Sequence, residues 1–188
     1  MKLLGLIVGG ILALIFVLVA GLLTWARFSD GPKGPLPGGS LVSGELADAS
    51  TVNWNEVLGN QPVAEIALEV EAAETSRVTG AFVHEGQLYV PCDLGFVWRR
   101  MPPGVTRLLL HTIWLFKDWH LQVEQDNRVI VRKQGKRYRL QAVRVHDDKL
   151  LDVFRDHVSQ AAAQAFELGP VQTNTEDIWF FRLEPRTG

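Results

Sequence analysis

The residue types that most often do chemistry in proteins are few in this sequence and lie far apart. No two histidines are four residues apart, the spacing that would place two metal ligands on one helical face; they stand at positions 84, 111, 120, 146 and 157. The sequence contains no GxSxG nucleophile motif, phosphate-binding glycine loop, HExxH zinc motif or dinucleotide-binding glycine fingerprint. Each histidine is therefore interpreted as a structural or surface residue.

The single cysteine, Cys92, follows Pro91 at the end of a predicted strand. One thiol cannot form an intrachain disulfide. A single cysteine also excludes zinc ribbons and iron–sulfur sites, because these need several thiolates. We interpret Cys92 as a small core residue. The alternative is a thiolate whose pKa is lowered by Arg99 and Arg100, if they approach it.

Basic residues that would attract an anion are concentrated in the middle of the chain. Residues 28–96 contain 2 basic and 10 acidic residues, residues 97–144 contain 11 and 3, and residues 145–188 contain 4 and 8. The central block either attracts an anionic ligand or lipid headgroups, or neutralises its own acidic flanks in the fold. Nucleic acid is not an expected partner, because the domain as a whole is acidic and has no recognition motif.

The elements that must position these residues begin with an apolar run. Residues 3–25 read LLGLIVGGILALIFVLVAGLLTW, and about 20 such residues cross a bilayer as a helix. We expect residues 1–27 to be a transmembrane anchor. The alternative is a cleaved signal peptide, whose apolar region is usually shorter, about 7 to 15 residues. The very short N-terminal tail favours a single-pass inner-membrane protein with its domain outside the cytoplasm.

A spacer and one domain follow the anchor. Residues 31–40 read GPKGPLPGGS, which resists helix and sheet, so we interpret residues 28–53 as a Gly/Pro-rich tether. Residues 54–188 are long enough for one domain. The whole chain is 47% hydrophobic and 21% charged in 188 residues, a composition that excludes collagen-like, coiled-coil, disordered and disulfide-scaffold classes.

Alternating apolar residues predict a mainly antiparallel sheet. Residues 63–71 have the period of a half-buried strand, and two hairpins turn at Glu85-Gly86 and at Gln134-Gly135. The apolar parity shifts near Val143, which predicts a bulge or a strand that bends round a barrel corner. A helix with an apolar stripe follows from Asp147 to Gly169-Pro170, and residues 177–185 form a last strand. This order favours a β-barrel or another α+β domain.

Residues 107–123, RLLLHTIWLFKDWHLQV, carry more apolar side chains than one helix stripe. They are too few and too interrupted to span a bilayer. Two interpretations stay open: a buried helix that plugs the barrel, or a segment in the membrane interface.

The order of these elements resembles the split β-barrel superfamily of pyridoxamine-phosphate oxidases and deazaflavin-dependent nitroreductases. The resemblance covers about residues 63–186 and rests on LYVPC, LFKDWHLQV, DNRVIVRKQGKRYRLQAVRV and DIWFFRLEPR. It implies a mainly antiparallel split β-barrel with peripheral helices. Together with the single N-terminal transmembrane helix, which few enzymes of the superfamily carry, this gives an expected α+β chain. Members of the superfamily typically pair as dimers with a flavin in the interface.

The resemblance also implies cofactor-binding residues. In that superfamily a short helix carries a Lys or Arg and a Trp near a flavin phosphate, and Lys117 and Trp119 match these in kind. A later turn of the superfamily is matched in kind by Arg137 and Tyr138. If FMN or a deazaflavin binds, Arg99, Arg100 and Lys117 would contact its phosphate, and Trp119 and Tyr138 would stack on its ring. The chain departs from the superfamily in lacking a Ser/Thr-rich phosphate loop after LYVPC.

Two functions follow as hypotheses. One is a membrane-anchored binding or accessory protein, a subunit of a membrane assembly, with the lipid bilayer and a second copy or other membrane subunits as partners. The other is a membrane-tethered oxidoreductase that uses a flavin or deazaflavin on a lipophilic, quinone-like substrate. The scarcity of catalytic groups favours the first hypothesis, and the basic aromatic block supports the second.

Overall fold

A computed structural model describes residues 2–34, 36–93, 118–165 and 178–186. Helices and strands follow one another along these residues, and a 3-10 turn at Glu71–Ala73 joins the second strand to the third. In chain order they are α1 (Lys2–Arg27), β1 (Glu45–Ala47), α2 (Trp54–Val57), β2 (Ala64–Val70), β3 (Thr75–His84), β4 (Gln87–Asp93), α3 (Trp119–Gln125), β5 (Arg128–Lys133), β6 (Lys136–Val145), α4 (Asp148–Ala165) and β7 (Ile178–Pro185).

Six strands close into an antiparallel barrel. Their spatial order is β2, β3, β4, β7, β6, β5, and β5 returns to pair with β2. The long strand β6 pairs with β5 through its first part and with β7 from Leu140 to Val145. The short strand β1 adds to β6 in parallel. This architecture confirms the predicted fold class, an apolar N-terminal helix followed by a mainly antiparallel barrel with a few helices.

Both predicted hairpin turns are confirmed. Glu85 and Gly86 have φ angles of 49° and 75°, and Gln134 and Gly135 have 51° and 76°. Two consecutive positive φ angles give the turn whose twist matches that of the flanking strands. Glycine at the second position adopts this conformation without a steric cost.

The barrel interior is apolar and is closed by short helices. Trp54 and Leu58 at α2, and Trp119 and Val123 of α3, belong to the same buried cluster as the inward side chains of the strands. The strand members of this cluster are Ala64, Ile66, Leu68, Val70, Ala81, Leu88, Val90, Cys92, Val129, Val131, Tyr138, Leu140, Ala142, Phe181 and Leu183. Burial of these side chains supplies the main stabilisation of the barrel.

The helix α4 covers part of the barrel exterior. Its Leu150, Leu151 and Phe154 form a second buried cluster with Phe82, Tyr89, Ile178 and Phe180. Strand β7 therefore contributes to both clusters, since Phe181 and Leu183 face the interior while Ile178 and Phe180 face α4. This two-sided burial explains why the last strand is a continuous apolar run instead of an alternating one.

The parity shift in β6 has the same cause. Register from Leu140↔Pro185 to Val145↔Phe180 is continuous, so no bulge interrupts the pairing with β7. Ala142 belongs to the interior cluster, whereas Val145 packs on the α4 cluster. The apolar side of the strand changes because α4 covers its outer face at that end. Of the two sequence interpretations, the bulge is wrong.

The N-terminal helix has the length and composition of a membrane span. Ile7–Arg27 comprises 21 residues, and its most apolar 18-residue window has a mean hydropathy of 2.8 and no residue buried in the structure. A signal sequence near an N-terminus has the same character. What the helix shows is an apolar surface long enough to cross a bilayer.

Residues 28–53, interpreted from sequence as a tether, lie against the barrel. Gly38 exchanges two backbone hydrogen bonds with Ser76 of β3, at 2.8 and 3.0 Å. The Leu41 amide donates to the buried Glu69 carboxylate over 2.7 Å, and Leu41 is itself buried. The composition indicated a spacer because glycine and proline avoid regular structure, but glycine also permits this close backbone approach.

Some sequence predictions lie outside the described residues. They include most of residues 107–123 and the expected helix end at Gly169-Pro170. For residues 118–123 the structure shows core packing, because Trp119, His120 and Val123 of α3 are buried.

Candidate functional site

Three of the predicted cofactor-binding residues, Arg99, Arg100 and Lys117, lie outside the described residues. Their proposed contact with a phosphate stays a prediction. The other three, Trp119, Arg137 and Tyr138, are described, and they do not come together in one site.

Both predicted stacking residues are in the barrel core. Trp119 is 3% exposed, and its ring centroid lies 5.2 Å from that of Phe181. Tyr138 is also 3% exposed and meets the Trp54 ring edge-on at 5.0 Å. Burial, with a smaller contribution from the Glu45 charge, raises the pKa of Tyr138 above its ordinary value. Neither ring has an exposed face in the structure on which a flat cofactor would stack.

The guanidinium of Arg137 holds the segment that precedes β1. Its Nε donates to the Gly44 carbonyl over 3.0 Å and its Nη1 to the Leu41 carbonyl over 2.8 Å. Trp119, Arg137 and Tyr138 thus pack or bind within the chain, and they do not fit a flavin cradle. No reaction step through a flavin is derived from them.

Cys92 and two of the described histidines, His120 and His157, pack or bind within the chain. Cys92 is buried in the barrel interior, and His120 lies edge-on to Trp179 at 4.9 Å. His157 Nδ1 is 2.8 Å from the Val153 carbonyl in α4. Over residues 2–34, 36–93, 118–165 and 178–186, no group of three or more histidine, cysteine or acidic side chains is placed to hold a metal ion.

A groove lies at the barrel rim, where β6 ends, α4 begins and β7 begins. Its volume is about 650 Å³, which is within the range of small-molecule sites. Side chains from the two strands and the helix share its wall; they are Arg144, Val145, His146, Asp147, Lys149, Leu151, Ile178, Trp179 and Phe180. The groove therefore combines apolar and basic side chains at one end of the barrel.

Arg144 and Trp179 contact each other in this groove. The guanidinium carbon of Arg144 lies 3.3 Å from the centre of the Trp179 ring. Arg144 Nη1 also donates to Glu124 Oε1 of α3 over 2.6 Å. Stacking on an aromatic face leaves a guanidinium able to donate in its own plane, which suits recognition of a planar anion.

The groove carries side chains of both charges, and its basic side chains lie at one edge. Lys149 and His146 are exposed at the start of α4 beside Arg144. The carboxylate of Asp147 accepts a hydrogen bond from the Lys149 amide over 2.9 Å, at the N-terminus of that helix. Because Asp147 is engaged in this way, the basic side chains are the groups best placed to meet an anionic ligand.

Sequence reasoning did not select the groove residues. Arg144 is the last member of the basic block, and Trp179 belongs to the aromatic last strand, but no periodicity links them along the chain. Only the register of β6 with β7, in which Arg144 pairs with Phe181, brings them to one rim. A signal in the sequence that could have identified the groove is the basic end of a strand at Arg144, followed within a few residues by the start of a helix near Lys149.

Comparisons with known proteins find similar solved structures but no family. No protein-family model and no curated protein matches the chain. A solved structure of a "putative pyridoxamine 5′-phosphate oxidase" from Listeria innocua is similar, with a TM-score of 0.40 and 13% sequence identity. The match covers 70% of this chain and 90% of that one. At this level the likeness carries no conclusion about ligand or activity.

Proposed function

We propose that this chain is a membrane-anchored binding protein whose barrel holds a small anionic ligand in the rim groove. The observation that carries the proposal is the Arg144 guanidinium stacked on Trp179 inside a groove of about 650 Å³. A fixed, stacked guanidinium costs little ordering entropy on binding, so it is a preorganised anchor for an acidic group. The apolar wall suits a flat ligand body.

The second part of the proposal concerns location. We infer that α1 holds the barrel at an inner membrane as a single-pass anchor, with the barrel outside the cytoplasm. The apolar surface of the helix from Ile7 to Trp25 supports the anchor. Reporter fusions at the C-terminus that are active only on one side of the membrane test the orientation, and carbonate extraction tests the anchor.

Titration of the detergent-solubilised full chain tests the ligand class. The probes are flavin mononucleotide, riboflavin and inorganic phosphate, which respectively carry ring with phosphate, ring alone and phosphate alone. We expect saturable one-to-one binding of flavin mononucleotide that weakens as salt rises, and at least about tenfold weaker binding of the other two probes. Equal binding of riboflavin, or no saturable binding of any probe, would contradict the proposal.

Oxidoreductase activity with a flavin or deazaflavin stays a prediction from the resemblance alone. The visible absorption spectrum of the purified full-length chain tests it. A chromophore bound in stoichiometric amount, and reduced by a nicotinamide or deazaflavin donor, would support this second function. An accessory role as a subunit of a larger membrane assembly, or as a homodimer, predicts a chain that these donors do not reduce and that co-purifies with its partner subunit.

A further inference from the structure

The end of α1 and the barrel form one continuous structure at their junction. Arg27, the last residue of the helix, donates through Nη1 to the Glu74 carbonyl over 2.8 Å. The Gly39 amide donates to the Ser29 carbonyl over 3.0 Å, and Ala26 is buried. These contacts fix how the barrel is placed on the end of the helix.

Close glycine contacts prevent this junction from opening easily. A Cβ atom on Gly38 would lie 1.9 Å from the Gly31 carbonyl oxygen, and one on Gly39 would lie 2.6 Å from the Arg27 carbonyl oxygen. The two backbone segments therefore pass each other so closely that no side chain fits between them. The loop is therefore folded back on the helix end and does not serve as a free linker.

Two large apolar side chains are exposed beside the helix end. Phe28 is 84% exposed and Val42 is 69% exposed. Both line one cavity of about 320 Å³ that also includes Arg27 and Ser40. The Val42 amide donates to the Asp30 carboxylate over 2.8 Å, which holds Val42 at the level of the helix end.

The helix itself marks the depth of the membrane surface. Trp25 is exposed, and Lys33 Nζ lies 5.8 Å from its ring centroid. Tryptophan and lysine together at a helix end are typical of the headgroup region, where the ring lies at the interface and the ammonium reaches water. Phe28 follows Trp25 by three residues, and Val42 lines the same cavity as Phe28, so both lie close to the helix end that carries Trp25.

We propose that the barrel rests on the bilayer through Phe28 and Val42, which enter the lipid interface beside the anchor. The occupant of this surface is lipid, because Phe28 directly follows the exposed apolar helix α1 and lines one cavity with Val42 and Arg27, whose guanidinium suits a lipid phosphate. The inference rests on the proposed membrane anchoring and adds a defined orientation to it. The Glu85-Gly86 hairpin lies at the other end of β3 from Ser76 of the junction, roughly 30 Å along the strand at about 3.3 Å per residue, so it is the reference point remote from this surface.

An environment-sensitive fluorophore attached to cysteine tests this orientation in the full chain. NBD is placed at Val42→Cys, at Phe28→Cys and, as the matched control, at Glu85→Cys, each in single-copy lipid nanodiscs. Cys92 is buried, so labelling of the parent chain gives the background. Circular dichroism and the unfolding midpoint of each labelled variant verify that it is folded, and the two lipid-side positions serve as independent readings.

We expect NBD at positions 42 and 28 to emit at shorter wavelength than at position 85. We also expect strong quenching there by a lipid-borne nitroxide and about threefold or greater protection from aqueous iodide. Emission and iodide quenching equal to those of the Glu85→Cys control would overturn the inference. Protection from iodide without quenching by lipid would also overturn it, because a protein partner would then cover the surface. If carbonate extracts the chain from the membrane, the anchoring proposal itself is wrong. The fluorescence and quenching measurements do not give that result, so the two failures can be told apart.

Discussion

The carboxylate of Asp30 and the guanidinium of Arg132 lie 2.8 Å apart although 102 residues separate them in the chain. Asp30 follows the N-terminal helix, and Arg132 is in β5. The same carboxylate accepts hydrogen bonds from the Val42 and Ser43 amides. One side chain thus joins the helix end, the segment before β1 and the barrel wall.

Removing the Asp30 carboxylate is expected to destabilise the chain in a pH-dependent way. Partial burial opposes its ionisation, but hydrogen bonds from Ser43, Val42 and Arg132 outweigh that effect and hold the pKa of Asp30 well below its usual range. The folded-state pKa is therefore below that of the unfolded chain, about 3.9. The stabilisation is present above about pH 4 and is lost as the pH falls further towards the folded-state value.

Urea unfolding in detergent measures this effect. We expect Asp30→Asn to lower the free energy of unfolding by about 1 kcal/mol at pH 7, because the carboxylate is partly exposed and screened. The difference from the parent should shrink below pH 4. Asp152→Asn is the control, since Asp152 pairs only locally with Arg155 and is exposed. An equal loss in both variants, or a loss independent of pH, would show that the Asp30 contacts do not stabilise the junction.

The glycine contacts predict that Gly38→Ala loosens the junction. The added methyl group would meet the Gly31 carbonyl at 1.9 Å and force the two backbone bonds to Ser76 apart. We expect a loss of about 2 kcal/mol or more. The measurement is the rate of trypsin cleavage at Lys33, which should rise severalfold.

Gly21→Ala in the apolar helix is the matched control for that substitution. A Cβ atom at Gly21 would meet nothing within 4 Å. Its cleavage rate should equal that of the parent chain. If Gly38→Ala is cleaved no faster than Gly21→Ala, the junction is not closed as described.

Closure of the barrel predicts a large cost for Phe181→Ala. Phe181 is fully buried on the inner face of β7, pairs with Val90 and Arg144 across the two neighbouring strands, and contacts the Trp119 ring. Truncation would leave a cavity in the core and cost about 3 to 5 kcal/mol. Val78→Ala on the exposed side of β3 should cost less than about 1 kcal/mol. Urea unfolding that shows similar costs for the two variants would contradict this core arrangement.

The sequence predicted the local elements well and the distant contacts poorly. The pattern around residues 63–71 and the glycines at positions 86 and 135 specify strands and turns, because these depend on neighbouring residues only. The docking of residues 28–53 depends on Glu69, Ser76 and Arg137, which no local pattern connects to that segment. Gly/Pro-rich composition is the same in a free linker and in a tightly folded loop.

The predicted site residues show the same limit. Trp119 and Tyr138 were selected for ring chemistry, yet large aromatic side chains are as often core residues, and both are buried here. Arg144 and Trp179 contact each other only through the β6–β7 register. The sequence alone shows which residue types are present, whereas the position of a binding groove depends on which strand ends meet in the fold.

The pair of cations at the groove is the most direct target for testing the proposed function. Arg144→Gln with Lys149→Gln removes both positive charges from the rim and keeps the side chains polar. Arg155→Gln is the matched control, because Arg155 lies on the same helix as Lys149 but does not line the groove. Because the Arg144–Glu124 ion pair is partly exposed, its loss should cost at most about 1 kcal/mol of folding free energy, so the double variant should stay folded.

The decisive measurement is calorimetric titration of flavin mononucleotide into the full chain in detergent, for the parent, the double variant and the control. We expect binding by the double variant to be weaker by at least about tenfold, equivalent to about 1.4 kcal/mol, and binding by Arg155→Gln to equal that of the parent. Unchanged affinity in the folded double variant, or an equal loss in the control, would show that the rim groove is not the ligand site.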